Sequence, residues 1–256
     1  MTALLEVRDL AKSYGGVNAV AGVSLNIAEG ETVALIGPNG AGKSTCFNML
    51  NGQIKPDRGT IVFEGRDITG WRPRDVWRLG VGRTFQITAT FKSMTAIENV
   101  QVVLLSHVHR LGRAWGLAPR EQRARAGELL ALVGMAAQAE RPSAELAYGD
   151  LKRLELAMAL ANEPRLLLMD EPTAGMSPRE RIELMALMGE IARAKHLGVL
   201  FTEHDMDVVF RHADRILVLS RGRLIAEGRP EEVRRNAEVQ AVYLGEGLTY
   251  HGSPPS

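Results

Sequence analysis

Hydrophobic and polar positions alternate in three short segments near the start of the chain. These segments are Leu4–Val7, Val23–Ile27 and Thr60–Phe63, and turn chemistry such as Tyr14–Gly16 separates them. An alternation with a period of two residues is typical of strands. The three segments therefore predict a small antiparallel sheet.

Four other apolar runs show no such alternation. They are Val33–Ile36, Leu166–Met169, Val199–Thr202 and Ile216–Leu219. Continuous apolar runs of this length are typical of strands that are buried on both faces of a parallel sheet.

Apolar residues with helical spacing fill the intervals between these runs. The helical segments are Thr95–Val108, Arg120–Val133, Leu151–Ala161 and Pro178–His196. Ser177 is predicted to cap the last of them, with Pro178 in its first turn. Strands that alternate with helices predict an α/β fold, here with a helical insertion at about residues 87–160.

Composition adds only a few constraints on the size of the core, the partners and the compartment of the protein. The chain has 256 residues, 45% hydrophobic and 24% charged, which is enough for a sizeable core, and its net charge of +1 gives no reason to expect a nucleic acid partner. Cys46 is the only cysteine, so no internal disulfide is possible and a reducing compartment is expected. Neither a signal peptide at Met1–Leu10 nor a membrane-spanning run is found. Any role at a membrane is therefore expected from the cytoplasmic side, through other subunits.

A glycine-rich segment directly follows the apolar run that ends at Ile36. We call it the phosphate loop, and it consists of Gly37, Pro38, Asn39, Gly40, Ala41, Gly42, Lys43, Ser44 and Thr45. Its pattern and its place between a strand and a helix are those of an ATP-binding loop, in which backbone N–H groups surround the phosphates. Lys43 is expected to contact the β- and γ-phosphates, Ser44 to bind Mg²⁺, and Thr45 to add a second hydroxyl. The alternative is a glycine-rich turn before a helix, which would require neither this pattern of residues nor the preceding strand.

Two carboxylates, Asp170 and Glu171, end the apolar run at Leu166–Met169. An unpaired carboxylate is costly at the end of a buried strand, so a function is expected for both. Asp170 can hold the hydration shell of Mg²⁺, and Glu171 can act as general base toward the attacking water. Acidic residues often follow strands, but together with the phosphate loop they predict ATP hydrolysis.

With these motifs the chain resembles the ABC ATPases over nearly its whole length. The resemblance implies that Tyr14 stacks on adenine, that Gln86 senses Mg²⁺ and the γ-phosphate, and that His204 hydrogen-bonds the γ-phosphate. Outside this motif order, Tyr14 would be interpreted as a turn residue and His204 as a structural histidine.

The segment Leu146–Asp150, called here the signature segment, opens a helix at the position of the family's LSGGQ motif. A helix N-terminus that begins with glycine is an anion site. The resemblance implies that two ATPase domains, identical or paralogous, face head to tail, and that Ala147, Tyr148 and Gly149 cap the ATP of the partner. Ala147 stands where serine is usual and Tyr148 where the first glycine is usual, while Ala174–Ser177 replaces the common Ser-Ala-Leu-Asp.

Four further segments resemble the ATPases of branched-chain (hydrophobic) amino acid importers, and most closely the longer of the two paralogues in those systems. They are Gly82–Gln86, Met94–Val100, Glu203–Met206 and Val242–Glu246. The resemblance implies integral membrane permease subunits, a periplasmic binding protein and a peripheral position on the cytoplasmic face of the inner membrane. Related systems for urea, amides, aromatic acids or lipopolysaccharide export remain alternatives. Non-transport ABC ATPases carry long insertions or two fused halves, for which this chain has no room, and a small-molecule kinase would not explain the motif series.

The resemblance also implies the division of the chain. A P-loop NTPase (RecA-like) parallel-sheet core is expected with an antiparallel β subdomain at about 1–30 and 59–70, and with an α-helical signature subdomain at about 87–160. One domain would span 1–250, and 251–256 would be a flexible tail.

The apolar side chains after Gln86 give one further expectation. They are Ile87, Phe91, Met94 and Ile97. The resemblance implies that they line a groove for a short coupling helix of the membrane subunit, whereas the alternative is that they pack the insertion onto the core.

Overall fold

The computed structural model describes residues 3–84, 90–107 and 118–244, and this part of the chain contains ten strands and nine α-helices. The strands are β1 (Leu5–Tyr14), β2 (Val17–Ile27), β3 (Thr32–Ile36), β4 (Arg58–Phe63), β5 (Arg66–Asp67), β6 (Val81–Thr84), β7 (Leu166–Asp170), β8 (Gly198–Thr202), β9 (Arg215–Ser220) and β10 (Arg223–Gly228). The helices are α1 (Lys43–Leu50), α2 (Pro73–Arg78), α3 (Ala96–His107), α4 (Ala118–Leu132), α5 (Tyr148–Leu160), α6 (Pro178–Lys195), α7 (Met206–His212), α8 (Pro230–Arg235) and α9 (Ala237–Leu244).

Four strands form an antiparallel sheet in the order β2-β1-β4-β5. In the register of this sheet Leu5 lies opposite Ile27 on one side and Phe63 on the other, and all three side chains are buried. Cross-strand apolar pairs of this kind hold such a sheet together. The antiparallel sheet predicted from the three alternating segments is confirmed.

A second sheet has the order β10-β9-β3-β8-β7-β6 and is parallel except for β10 at its edge. Every residue of β3, β7 and β8 is buried. Successive side chains of β3 enter two different cores: Val33 and Leu35 face the antiparallel sheet and α1, while Ala34 and Ile36 face α5 and α6. The continuous apolar runs therefore arise from strands with a core on each face, as the sequence predicted.

The predicted helices are present as α3, α4, α5 and α6, with ends shifted by a few residues. Ser177 caps α6: its hydroxyl accepts from the Glu180 N–H, and the Glu180 carboxylate accepts from the Ser177 N–H at 2.9 Å. This reciprocal capping box confirms the predicted start of the helix. Cys46 is buried on α1, and burial raises the pKa of its thiol to about 12, so the thiol packs as a small apolar group.

The apolar residues that follow Gln86 differ in burial. Ile97 is 5% exposed and belongs to the core, so the alternative interpretation is correct for that residue, whereas the Phe91 side chain is 51% exposed. Gln86, Ile87 and the tail 251–256 lie outside the described residues. Within the described ranges, no helix combines the length and apolar character needed to cross a membrane.

Candidate functional site

The phosphate loop lies between the end of β3 and the start of α1, at the edge where the parallel strands end. Gly37, Gly40 and Gly42 all have positive φ angles, of 152°, 78° and 105°. A Cβ atom at Gly37 would lie 2.2 Å from the carbonyl oxygen of Leu219, and one at Gly42 would lie 2.4 Å from that of Ala19. The loop can take this shape only with glycine at both positions.

Lys43 begins α1, and its ammonium group turns back toward the loop. Its Nζ donates to the carbonyl oxygens of Gly37, at 2.5 Å, and of Pro38, at 3.1 Å. Gly42 is the N-cap of α1, and it has no side chain that could accept from the first N–H groups of the helix. The loop therefore presents a buried ammonium and uncapped helix N–H groups together, which is a donor set suited to phosphate.

Asp170 ends β7 and is held from two sides. The Thr202 hydroxyl donates to its Oδ1 at 2.8 Å, and Arg83 Nη2 lies 3.4 Å from its Oδ2. The Arg83 guanidinium also donates to Asn48 on α1, at 2.9 Å. Burial lowers the pKa of the Arg83 guanidinium, and the nearby Asp170 carboxylate offsets only part of this shift. Arg83 thus connects the end of β7 to α1.

The residues at this edge fit a Mg²⁺ ion. Ser44 precedes Asn48 by one helical turn, so the two residues lie on the same face of α1, where Ser44 is exposed. Arg83 connects Asn48 on this face to Asp170. Mg²⁺ in nucleotide sites is bound by one or two protein oxygens, the substrate phosphates and water. One hydroxyl and one carboxylate are consistent with this. Among the described residues, no cluster of three acidic, histidine or cysteine side chains offers a site of another type.

Glu171 lies immediately after β7 and has a left-handed backbone, with φ of 48°. Its N–H donates to the hydroxyl of Thr202, at 3.0 Å, and to the carbonyl oxygen of that residue, at 3.2 Å. His204 Nε2 lies 2.9 Å from Glu171 Oε1. A non-glycine residue with positive φ is strained and persists only where its surroundings fix it, as here.

The loops that follow β7 and β8 are bonded to each other. The buried Glu203 carboxylate accepts from the backbone N–H and the hydroxyl of Thr173, at 2.8 and 2.6 Å. Asp205 caps α7 and pairs with Arg181 of α6 at 2.8 Å. His204, between these two anchors, is thereby held beside Glu171.

Replacing Thr202 with valine should lower the rate of ATP hydrolysis about tenfold with little change in ATP affinity. The hydroxyl of Thr202 donates to Asp170 and accepts from the Glu171 N–H, so the variant loses one contact to each carboxylate residue. Steady-state kinetics and nucleotide binding measured on the same preparation test this. Thr202→Ser keeps the hydroxyl and should match the parent, and an equally slow serine variant would contradict the assigned contacts.

The signature segment lies at the start of α5. Its N-cap, Ala147, has an extended backbone and a side chain that cannot accept from the helix N–H groups. Tyr148 is 45% exposed and its hydroxyl donates to the carbonyl oxygen of Ala174, while a Cβ at Gly149 would lie 2.8 Å from Glu180 Oε1. The Tyr148 hydroxyl thus contacts the segment after β7, and Gly149 lies close against Glu180 of α6. No side chain in the described part of the chain caps the first N–H groups of α5.

Tyr14 lies at the tip of the hairpin between β1 and β2 and is 45% exposed. The next strand approaches the phosphate loop closely, since the carbonyl oxygen of Ala19 limits the space at Gly42. An exposed ring on this hairpin is suited to stack on a base bound near the loop.

A groove of about 410 Å³ lies between α2, α3 and α5 on the side of the sheet edge that carries β6. Its lining is mostly apolar and includes Val76, Trp77, Val102, Val103, Met158 and Ala159, together with Arg74, Arg83 and Glu155. Phe91 is outside this lining. The Asn99 side chain accepts from the Phe91 N–H at 2.7 Å, and the Ser143 hydroxyl donates to the Phe91 carbonyl at 2.9 Å, which fixes the backbone of Phe91 while its ring stays exposed.

Sequence reasoning did not find two residues of this arrangement, Arg83 and Thr202. In the sequence, Thr202 is only the end of an apolar run and Arg83 is only one residue of the segment Gly82–Gln86. The available signal was the same for both: a polar residue at the carboxyl end of a buried parallel strand lies at the edge where such sheets bind ligands.

Two family descriptions match the chain. Residues 20–174 match the family described as ABC transporter, and residues 223–249 match branched-chain amino acid ATP-binding cassette transporter.

Curated relatives match nearly the full length of the chain. The high-affinity branched-chain amino acid transport ATP-binding protein LivG of Salmonella typhimurium is 42% identical, covering 95% of this chain and 98% of its own. BraF of Pseudomonas aeruginosa, described in the same words, is 40% identical, with 95% and 98% covered. The lipopolysaccharide export system ATP-binding protein LptB of Acidithiobacillus ferridurans is 37% identical, with 96% and 98% covered.

Solved structures of ATP-binding cassettes share the fold. The ADP conformation of MJ1267, an ATP-binding cassette of an ABC transporter, matches with a TM-score of 0.84 and 29% identity, covering 96% of this chain and 100% of its own. MJ0796 in a dimeric post-hydrolysis state, bound to ADP and Pi, matches with a TM-score of 0.76 and 28% identity, covering 88% and 98%.

Proposed function

Because this chain belongs to the ABC transporter family of ATP-binding subunits, we propose that it powers an importer of branched-chain or other hydrophobic amino acids. Members of the family hydrolyse ATP to drive transport, and they work with membrane permease subunits. The ATPase does not touch the solute, so no residue of the site can identify it. The choice of solute therefore rests on the C-terminal match to the branched-chain family at residues 223–249. LivG and BraF support the same choice.

The phosphate loop binds the substrate, ATP. Lys43 and the N–H groups at the start of α1 contact the phosphates, while Tyr14 stacks on the base. Mg²⁺, when bound, would neutralise charge on the phosphates. Ser44 and Asp170 would hold that ion, and the family resemblance adds Gln86, which lies outside the described residues, to this set.

Glu171 is the general base of this scheme. Its carboxylate takes a proton from the water that attacks the γ-phosphate, and the backbone fixed by Thr202 sets the direction of that carboxylate. His204 lies within hydrogen-bond distance of Glu171 and can contact the γ-phosphate from the same side. Both loops are bonded together, so the base and the histidine move as one unit.

A second ATPase subunit completes the site. The start of α5 lacks a side-chain cap, Ala147 and Tyr148 are exposed there, and the buried Gly149 adds no side chain, so the N–H groups of this helix end are suited to the ATP held by a partner's phosphate loop. The dimeric MJ0796 structure supports this arrangement. The partner is a second copy or a shorter paralogue.

The groove between α2, α3 and α5 is suited to the membrane subunit. It is apolar, it opens beside the helical insertion, and Arg83 connects its lining to Asp170. The subunit would sit on the cytoplasmic face of the inner membrane, and a periplasmic binding protein would deliver the solute from the other side.

Reconstitution tests the solute. When the chain is assembled in proteoliposomes with the permease subunits and binding protein encoded beside it, leucine, isoleucine or valine should stimulate ATP hydrolysis several-fold, and urea should not. Stimulation by aromatic acids or amides alone would contradict the proposed solute. The LptB relative makes export a second candidate, and neighbouring genes for a lipopolysaccharide permease without a binding protein would favour it.

A further inference from the structure

Tyr148 is the first residue of α5, at a position where the family signature usually has glycine. Its hydroxyl donates to the carbonyl oxygen of Ala174 at 3.0 Å. Ala174 belongs to the loop that begins with Glu171 and ends at Ser177, the cap of α6. One side chain therefore connects the signature segment to the loop that carries the general base.

The ring of Tyr148 is held in place by more than its hydroxyl. Gly175 has a φ of 79°, and a Cβ at Gly175 would lie 3.3 Å from the ring, so the ring packs on this glycine. The Lys152 ammonium, buried one turn later on α5, lies 5.6 Å from the ring centroid and pairs with Glu155 at 3.1 Å. These contacts fix one orientation of an otherwise exposed side chain.

The loop transmits this contact to Glu171 over a very short path. The Ala174 N–H donates to the carbonyl oxygen of Glu171 at 3.1 Å, in a tight turn. Two hydrogen bonds therefore lead from the start of α5 to the backbone of Glu171: Tyr148 to Ala174 O, and Ala174 N to Glu171 O. Glycine in place of Tyr148 would leave the first of these unmade.

We propose that Tyr148 is a positioning residue that makes the general base of this subunit respond to the nucleotide of its partner. The inference rests on the proposed function, in which the start of α5 binds the partner's ATP. Engagement of that ATP fixes the start of α5, and Tyr148 then fixes Ala174 and, through it, Glu171. Each subunit would thus hydrolyse its own ATP efficiently only when it also caps the ATP of the other.

Removal of the hydroxyl alone tests this. Tyr148→Phe keeps the ring over Gly175 but cannot donate to Ala174, so kcat should fall about 3- to 10-fold, as expected for one neutral hydrogen bond. The Hill coefficient for ATP should fall toward one, because the two sites lose their connection. ATP affinity of the isolated subunit and ATP-induced dimers on the Glu171→Gln background should stay unchanged.

Two comparisons make the result specific. Ile182→Ala removes an equally exposed large side chain, 45% exposed on α6, and should leave kcat and the Hill coefficient unchanged. Tyr148→Gly, which restores the usual residue, should reduce cooperativity at least as much as Tyr148→Phe. If the parent hydrolyses ATP cooperatively and Tyr148→Phe does the same, this inference is overturned while the proposed function stands. A parent that binds or hydrolyses no ATP overturns both.

Discussion

Glu171→Gln should keep ATP affinity and lower kcat by at least about 10²-fold, the usual loss when a general base is removed. Glutamine has the same shape and can keep the contact to His204, which lies 2.9 Å from Glu171 in the parent, but it cannot take a proton from water. The backbone bonds to Thr202 do not involve the side chain and should persist. Nucleotide binding by titration and turnover by phosphate release give the two quantities.

Glu163→Gln is a matched control for this variant. Glu163 has nearly the same left-handed backbone, with φ of 50° against 48° for Glu171, but it pairs with Arg125 at the surface. Its variant should hydrolyse ATP at the parent rate.

Lys43→Ala should instead weaken nucleotide binding itself, since it removes the charge beside the phosphates. Parent-like turnover in Glu171→Gln would show that another group is the base.

Much of the fold can be predicted from the sequence because buried strands require recognisable runs of apolar residues. Strands with a core on each face must be apolar throughout, so β3, β7, β8 and β9 were predicted nearly to the residue. The mostly half-buried β10 carries no such pattern, and it was missed. The phosphate loop was predictable because only glycine fits beside Leu219 and Ala19.

The rest of the site depends on contacts between distant residues, which a linear pattern does not contain. Arg83, Asn48 and Asp170 meet only because β6 and β7 are adjacent and α1 packs over them. Ile97 has the same apolar character as Phe91, yet only the structure shows that one is core and the other exposed. The roles assigned to Gln86, Tyr14 and the signature segment stay predictions.

Val102→Glu should abolish co-purification with the permease subunits while leaving the isolated subunit folded and able to bind ATP. Val102 lines the groove on α3 and is half-buried, so a carboxylate there would meet apolar neighbours from α5 such as Met158. A docking helix that fills an apolar groove loses its buried contacts when a charge must be covered with it. Phe91→Glu, outside the groove lining, should weaken assembly less.

Leu132→Glu is the matched control for the groove variants. Leu132 is an exposed leucine at the end of α4, 37% exposed, and its substitution adds the same charge away from the groove. That variant should assemble and transport like the parent. Because Arg83 belongs both to the groove lining and to the partners of Asp170, the assembled parent should also hydrolyse ATP faster than the isolated subunit. Equal assembly of Val102→Glu and Leu132→Glu would place the docking surface elsewhere, with Phe91 as the next position to test.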